Sequence, residues 1–155
     1  MSKIAPITAP RLWLVLARAY GSIASYVESC VSAQGLCLSD FMVLEVLLHK
    51  GPLTISAIGE KVLLASASMT SAIDRLEERG LVQRKSSKED RRIRIVQLTP
   101  KGEELISEIY VQHRQDLEFI TTELSAAERK ALYAGLKKLG LAAKMALTRE
   151  KQLTV

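Results

Sequence analysis

Small hydroxyl side chains gather in one stretch of the sequence, where they could form hydrogen bonds with the edges of nucleic-acid bases. Ser66, Ser68, Thr70 and Ser71 lie within six residues, and Arg75 follows four residues later. Because small side chains let a helix approach base edges closely, this composition is typical of the start of a DNA recognition helix. In isolation, the same residues would also suit a solvent-exposed helix start that is rich in capping groups.

A cationic segment follows, and its charge could attract phosphates. The whole chain carries a net charge of +5, and the segment from position 84 to position 94 alone has six cations against two carboxylates, an excess of +4. Arginine is attracted to the negative potential of a narrow minor groove, and Asp90 could hold Arg92 in a fixed pose. A charged hairpin tip that only keeps the protein soluble is the alternative. The six cations are Arg84, Lys85, Lys88, Arg91, Arg92 and Arg94.

No set of residues indicates catalysis or a bound cofactor. The two histidines, His49 and His113, are far apart in the sequence and form no H-x-x-x-H pair. Phosphate-binding and nucleophile motifs such as G-x-x-x-x-G-K-[ST], G-x-G-x-x-G and G-x-S-x-G do not occur. We therefore expect neither an enzyme nor a metal site.

Two cysteines, Cys30 and Cys37, are the remaining reactive side chains. A single pair six residues apart has no zinc-binding spacing, and both thiols are expected to be reduced in a cytoplasmic protein. Structural, inert cysteines and an oxidation switch both remain open.

Two short helices and a hairpin must position these side chains. Met69, Ala72, Ile73 and Leu76 form an apolar stripe that predicts a helix over 66–79, which Gly80 ends in a left-handed conformation. A shorter helix is predicted over 54–62 with Thr54 as its cap, and residues 63–65 form the turn. Valine- and isoleucine-rich runs at 81–85 and 93–98 predict two antiparallel strands around the cationic tip.

Longer helices flank this unit. We predict helices over 11–32, over 40–50 with Ser39 as cap, over 101–121 after Thr99-Pro100, and from the Ser125–Glu128 capping box to about residue 147. The last helix is apolar on more than one side, so it requires a partner. Packing against a second copy would bury it and place two recognition helices about 34 Å apart, one duplex turn.

The run DRLEERGLVQRKSSKEDRRIRIVQLTPKGEEL, from Asp74 to Leu105, resembles the MarR family of bacterial transcriptional regulators, most specifically in Asp90-Arg91-Arg92 and in the sequence LTPKG. The resemblance implies a mainly α fold with a small β-wing. A winged helix-turn-helix lobe over 38–99 would lie between dimerisation helices at 10–32 and 100–148. It also implies a homodimer that binds a pseudo-palindromic DNA operator as a repressor. The complete set of predicted DNA contacts is Thr54, Ser66, Ser68, Thr70, Ser71, Arg75, Lys88, Asp90, Arg91, Arg92 and Arg94.

Members of the family release DNA when a small aromatic or phenolic ligand binds between the dimer helices and the DNA-binding lobe. The resemblance therefore implies a ligand crevice to which Trp13, Tyr20, Tyr26 and His113 could contribute, although core packing would also account for these residues. Other members sense peroxide through a cysteine at the start of the first helix. Here that region reads Leu12-Trp13-Leu14, which counts against the same mechanism.

The length of 155 residues and the 48% hydrophobic content predict one ordinary globular chain. No apolar run reaches eighteen residues and the start lacks a signal-peptide core, so we expect a cytoplasmic protein without membrane contact. A winged helix that docks a protein instead of DNA is the rival interpretation. Steep salt dependence of DNA binding would distinguish the two.

Overall fold

The computed structural model describes residues 6–62, 66–86 and 93–153, except for the side chains of residues 66–67 and 150–153. Within this part of the chain, helices dominate and a small antiparallel sheet follows the helix-turn-helix. In chain order the elements are α1 Ala9–Ser32, α2 Leu38–Lys50, β1 Leu53–Thr54, α3 Ile55–Val62, α4 Ser66–Glu78, β2 Val82–Ser86, β3 Arg94–Leu98, α5 Pro100–Thr121 and α6 Ala126–Leu153. The predicted fold class, mainly α with a small β-wing, is confirmed.

Most predicted elements occur within a few residues of their expected bounds, and two predictions were wrong. Helix α2 begins at Leu38, and its N-cap is Cys37 without a side-chain capping hydrogen bond, so Ser39 does not cap it. Helix α6 continues to Leu153, beyond the expected end near residue 147. The sheet also has a third strand that the sequence did not predict, because β1 is only two residues long and pairs with β3 through Leu53 and Val96.

The sheet has the order β1-β3-β2, and β2 and β3 form the hairpin of the wing. Their register pairs Val82 with Leu98 at the base and Ser86 with Arg94 towards the tip. Val82 and Val96 are buried in the core, while the neighbouring residues Lys85 and Ser86 towards the tip are both exposed. The hairpin is therefore anchored at its base and exposed towards its tip.

One hydrophobic core joins α2, α3, α4 and the sheet. Phe41 and Leu44 of α2, Ile58 of α3 and Ile73 of α4 are almost completely buried in it. Residues Met1–Asp116 form one compact unit that contains this core, and residues Leu117–Val155 form a second unit. The core thus holds the two helices of the helix-turn-helix against α2.

The start of α5 is attached to the end of α4 by the Thr-Pro-Lys-Gly segment. The Thr99 hydroxyl accepts a hydrogen bond from the Gly102 amide at 3.1 Å and donates one to the Gly80 carbonyl at 2.7 Å. Lys101 Nζ donates to the Arg79 carbonyl at 3.1 Å. Gly80 has a φ of 69°, so α4 ends in the predicted left-handed conformation.

The second unit contains the last turn of α5 and the whole of α6. Its predicted capping box is confirmed, since the Ser125 amide donates to Glu128 Oε2 at 2.9 Å and the Glu128 amide donates to Ser125 Oγ at 3.3 Å. The hydrogen bonds from Ser125 lower the pKa of the Glu128 carboxyl. Arg129 connects the two helices through an ion pair with Glu118 at 2.6 Å and a hydrogen bond to the Thr121 carbonyl.

Candidate nucleic-acid interface

Helix α4 has one buried face and one exposed face. Met69, Ala72, Ile73 and Leu76 have relative exposures of 1% or less, because they lie at three- and four-residue spacing against the core. The opposite face carries the exposed residues Ser68, Thr70 and Ser71, which were predicted to contact DNA. The side chain of Ser66, also a predicted contact, lies outside the described part of the helix.

Thr54 immediately precedes α3 and caps it. Its hydroxyl accepts a hydrogen bond from the Ala57 amide at 3.2 Å, which satisfies one of the free donors at the helix start. The residue is half-buried in β1, so its hydroxyl already has a role within the fold. Its contact with DNA stays a prediction.

Arg75 lies on α4 but is held by a carboxylate of α2. Its Nη2 donates to Asp40 Oδ1 at 2.6 Å and its Nε donates to Asp40 Oδ2 at 3.4 Å. The side chain of Asp40 is only 4% exposed, whereas that of Arg75 is 45% exposed. The hydrogen bond with Asp40 raises the pKa of the Arg75 guanidinium, which is therefore a permanent cation on the α4 surface.

The acidic residues in the second half of α4 bind the first arginine of the wing. Arg84 Nη1 donates to Glu77 Oε2 and its Nη2 to Asp74 Oδ1, both at 2.5 Å, and the Arg84 amide donates to Glu77 Oε1 at 3.0 Å. Burial lowers the pKa of Arg84, and the hydrogen bonds with Asp74 and Glu77 outweigh it and raise that pKa. Arg84 thus offsets part of the negative charge of these two carboxylates, which would repel phosphates.

The described part of the wing presents cations at the base of its loop. Arg94 is exposed and its Nη1 donates to Ser86 Oγ at 3.0 Å across the strand pair, and Lys85 is exposed beside it. The predicted wing contacts Lys88, Asp90, Arg91 and Arg92 lie outside the described residues. The described part of the hairpin therefore presents two exposed cations, Lys85 and Arg94, towards its tip.

Both cysteines are free thiols. Cys30 is half-buried and Cys37 is exposed, with its Sγ 3.2 Å from Ser39 Oγ and 3.5 Å from Arg75 Nη2. A redox function for either thiol stays a prediction. Among the described residues, no three histidine, cysteine, aspartate or glutamate side chains lie close enough to hold a metal ion.

A chain of rings runs from α2 to α5. His113 packs edge-on against Phe41 with 4.7 Å between ring centroids, and Tyr110 packs edge-on against His49 at 4.6 Å. The centroids of Tyr110 and His113 are 6.3 Å apart. His113 is only 8% exposed and its Nδ1 has no hydrogen-bond partner among the described residues, which is costly for a buried polar atom.

Two cavities lie beside these rings. The smaller one, between α1 and α5, is lined by His113, Cys30 and Asp116, and at about 10 Å³ it holds no more than one water molecule. The larger one, about 340 Å³, lies between α2 and α3. Its lining consists of Met42, Glu45, Val46, His49, Lys50, Lys61 and Val62.

The predicted crevice residues are only partly brought together. Burial and a hydrogen bond with Cys30, together with the charge of Asp116, raise the pKa of the Tyr26 phenol. Cys30 and Asp116 both line the small cavity. Trp13 and Tyr20 are 69% and 67% exposed. Trp13 lies thirteen residues before Tyr26, about 20 Å along α1. The sequence did not indicate that Glu45, His49 and Lys61 line a common cavity, because this depends on how α2 and α3 pack.

Helix-turn-helix α3–α4 followed by the β2–β3 hairpin defines a winged helix-turn-helix protein. Residues 36–93 match the model of the MarR family. Over 134 residues the chain is 40% identical to HTH-type transcriptional regulator MhqR of Bacillus subtilis (strain 168), covering 86% of this chain and 92% of that protein. The chain therefore belongs to the MarR family and is a DNA-binding transcriptional regulator, not an enzyme.

Solved structures agree with this assignment. The transcriptional regulator BldR from Sulfolobus solfataricus superposes with a TM-score of 0.77 at 26% identity, covering 90% of this chain and 97% of that one. Bordetella bronchiseptica BpsR, whose DNA binding is regulated by 6-hydroxynicotinic acid, superposes with a TM-score of 0.76 at 26% identity, covering 84% of this chain and 98% of that one.

None of the described helices has the length and apolar character to cross a membrane.

Proposed function

We propose that the chain represses transcription as a homodimer on a pseudo-palindromic operator, with α4 in the major groove and the wing in the minor groove. The observation that carries this proposal is the two-faced character of α4. Its apolar face is completely buried, while Ser68, Thr70 and Ser71 form an exposed face of small hydroxyl side chains. Such a face can approach base edges closely enough for hydrogen bonds.

Two further features support this geometry. Helix α4 is 13 residues long, about 20 Å, which is long enough to lie along a major groove. The hairpin that follows carries the exposed cations Lys85 and Arg94 towards its tip. From the sequence, Arg92 is the side chain that enters the minor groove, where it gains from the negative potential.

The dimer is supported by exposed apolar side chains on the first and last helices. Trp13 and Val15 of α1, and Leu132, Tyr133 and Leu136 of α6, are each between 42% and 69% exposed. A monomeric soluble protein rarely exposes apolar side chains this densely on one helix, so these faces require a partner. A second copy of the chain would cover them and give one lobe to each half-site.

Titration against the DNA flanking the gene tests the proposal. We expect wild-type protein to bind an operator duplex far more tightly than random duplex, with log K falling by roughly 0.9 per neutralised phosphate as log salt rises. Arg92→Ala should weaken operator binding by about 1–3 kcal/mol. Arg149→Ala, which removes a cation from the surface of α6, serves as the charge-matched control.

Equal affinity for operator and random duplex at every salt concentration would contradict the proposal. It would favour the rival function, a winged helix that docks a protein. Equal operator binding by Arg92→Ala and Arg149→Ala would contradict only the assignment of Arg92 to the minor groove.

The same proposal includes release by a small aromatic effector, which the larger cavity could hold. Its size lies within the range of ligand pockets, and Met42, Val46 and Val62 provide apolar walls. Lys50 and Lys61 would favour an aromatic acid or phenolate. Adding such compounds to the preformed operator complex should release the DNA. No release by any compound that measurably binds the protein would contradict this part of the proposal.

A further inference from the structure

Asp40 is a buried carboxylate whose only described charged partner belongs to the recognition helix. The residue lies in the first turn of α2 and its side chain is 4% exposed. Both carboxylate oxygens accept hydrogen bonds from Arg75, at 2.6 and 3.4 Å. A buried charge is stable only when it is paired, so the position of Asp40 restricts where the guanidinium of Arg75 can lie.

The attachment extends from α4 to Arg79, the residue that follows its last turn. Arg75 Nη2 also donates to Ser39 Oγ at 3.2 Å and lies 3.5 Å from Cys37 Sγ. One turn later, Arg79 Nη1 donates to the Gly35 carbonyl at 3.2 Å. Residues four apart share one face of a helix, so a single edge of α4 is attached to the connection between α1 and α2.

We propose that Asp40 is a positioning residue for DNA recognition, and that Arg75 acts as an internal anchor of α4 rather than as a phosphate contact. The pair sets the rotation of α4 about its axis, and with it the direction in which Ser68 and Ser71 face. This inference rests on the proposed function, in which that face reads the operator.

The two possible roles of Arg75 predict opposite effects when Asp40 is neutralised. If Arg75 contacts a phosphate, Asp40→Asn releases it and raises the net charge by one, so DNA binding becomes tighter. If the pair is an anchor, the same variant weakens its hold on the guanidinium, and the operator is bound less tightly in spite of the added positive charge.

The experiment compares wild type, Asp40→Asn and Glu78→Gln on the operator and on random duplex at two salt concentrations. Glu78 is exposed on α4, and Glu78→Gln removes one negative charge, as Asp40→Asn does. We expect Asp40→Asn to bind the operator at least about tenfold more weakly than Glu78→Gln. Random duplex should be bound equally well by both, and the salt slope should be unchanged.

Operator binding by Asp40→Asn that equals or exceeds that of Glu78→Gln would overturn the inference. An equal loss on operator and random duplex by a folded Asp40→Asn variant would also overturn it, because the loss would then not depend on the recognition surface. A wild type that does not prefer the operator would instead refute the proposed function, before any variant is compared.

A second variant decides the question if Asp40→Asn is not folded at the assay temperature. Arg75→Lys keeps a cation that can contact phosphate, but its single ammonium cannot bind both carboxylate oxygens as the guanidinium does. We expect a loss of about tenfold in operator affinity for Arg75→Lys, with random-duplex affinity retained. If Arg75→Lys bound the operator as tightly as wild type does, the role of Arg75 as an anchor of α4 would be overturned.

Discussion

Gly102 lies in the first turn of α5, close to the backbone of Leu81. A Cβ atom built on Gly102 would lie 1.9 Å from the Leu81 carbonyl oxygen and 2.8 Å from its carbonyl carbon. The same carbonyl accepts the Thr99 amide at 3.0 Å, so it cannot move without the loss of that hydrogen bond. Any side chain at position 102 would therefore push α5 away from the start of β2.

Gly102→Ala tests this close approach. Alanine normally stabilises a helix interior by roughly 0.5–1 kcal/mol over glycine, but here we expect a net loss of roughly 1–3 kcal/mol from steric overlap with backbone atoms. Chemical denaturation followed by circular dichroism measures the difference. Gly59→Ala is the matched control in α3, since no described atom lies within 4 Å of its Cβ, and this variant should be slightly stabilised. Equal stability of the two variants would contradict the close approach.

Arg84 connects two elements, the wing and the recognition helix. Its side chain is 22% exposed and lies between Asp74 and Glu77 of α4, which are 51% and 38% exposed. Its amide donates to Glu77 as well, so both the backbone and the side chain of β2 are attached to the last turns of α4. Arg84 therefore helps to hold the hairpin against α4, together with the apolar contacts of the core.

Arg84→Ala should lower the free energy of unfolding by about 1 kcal/mol, since its partners are partly exposed and solvent weakens the pairing. Lys85→Ala removes the neighbouring, exposed cation and should leave stability almost unchanged. High salt should reduce the difference between the two variants. If thermal denaturation gives the same loss of stability for Arg84→Ala and Lys85→Ala, the contacts of Arg84 with Asp74 and Glu77 contribute nothing to stability.

The elements differ in how far the sequence could predict them. The apolar stripe of Met69, Ala72, Ile73 and Leu76 predicted α4 and its buried face correctly, because helical periodicity is a local property. Strand β1 was not predicted, because a strand of two residues has no periodicity and its pairing depends on β3. The cap of α2 was misassigned to Ser39, whose hydroxyl accepts from Arg75 instead.

The partners within the candidate site could not be predicted, because they depend on tertiary packing. Asp40 and Arg75 are 35 positions apart, and no local pattern connects them. Resemblance to the family assigned Arg75 to DNA, while the structure shows its guanidinium bound to Asp40. The exposed hydroxyl face of α4, in contrast, was predicted from residue types alone.

At the scale of the whole molecule, the apolar surface of α6 calls for a second copy of the chain. Leu132, Leu136 and Leu139 recur at four- and three-residue spacing, and all three are exposed in the single chain. A stripe with this spacing is typical of helices that pack together. The homodimer, proposed above, would bury it.

Leu136→Glu should prevent dimer formation, because it would place a charge within the apolar contact. We expect light scattering to give the mass of one chain, and operator affinity to fall by about a hundredfold, since a single lobe loses the second half-site. Lys138→Gln changes the net charge equally on the same helix and should remain dimeric. A dimeric Leu136→Glu, or a monomeric wild type at micromolar concentration, would contradict the α6 interface.

The ion pairs of Arg75 and Arg84 also bear on the kinetics of DNA binding. These two guanidiniums face three carboxylates, Asp40, Asp74 and Glu77, so they add little to the field that an approaching duplex experiences. The rate of association should depend on exposed cations such as Lys85. The paired arginines should instead affect how slowly the complex dissociates, because they hold the recognition surface in shape after contact. The lifetime of the repressed state would then depend on residues that never touch DNA.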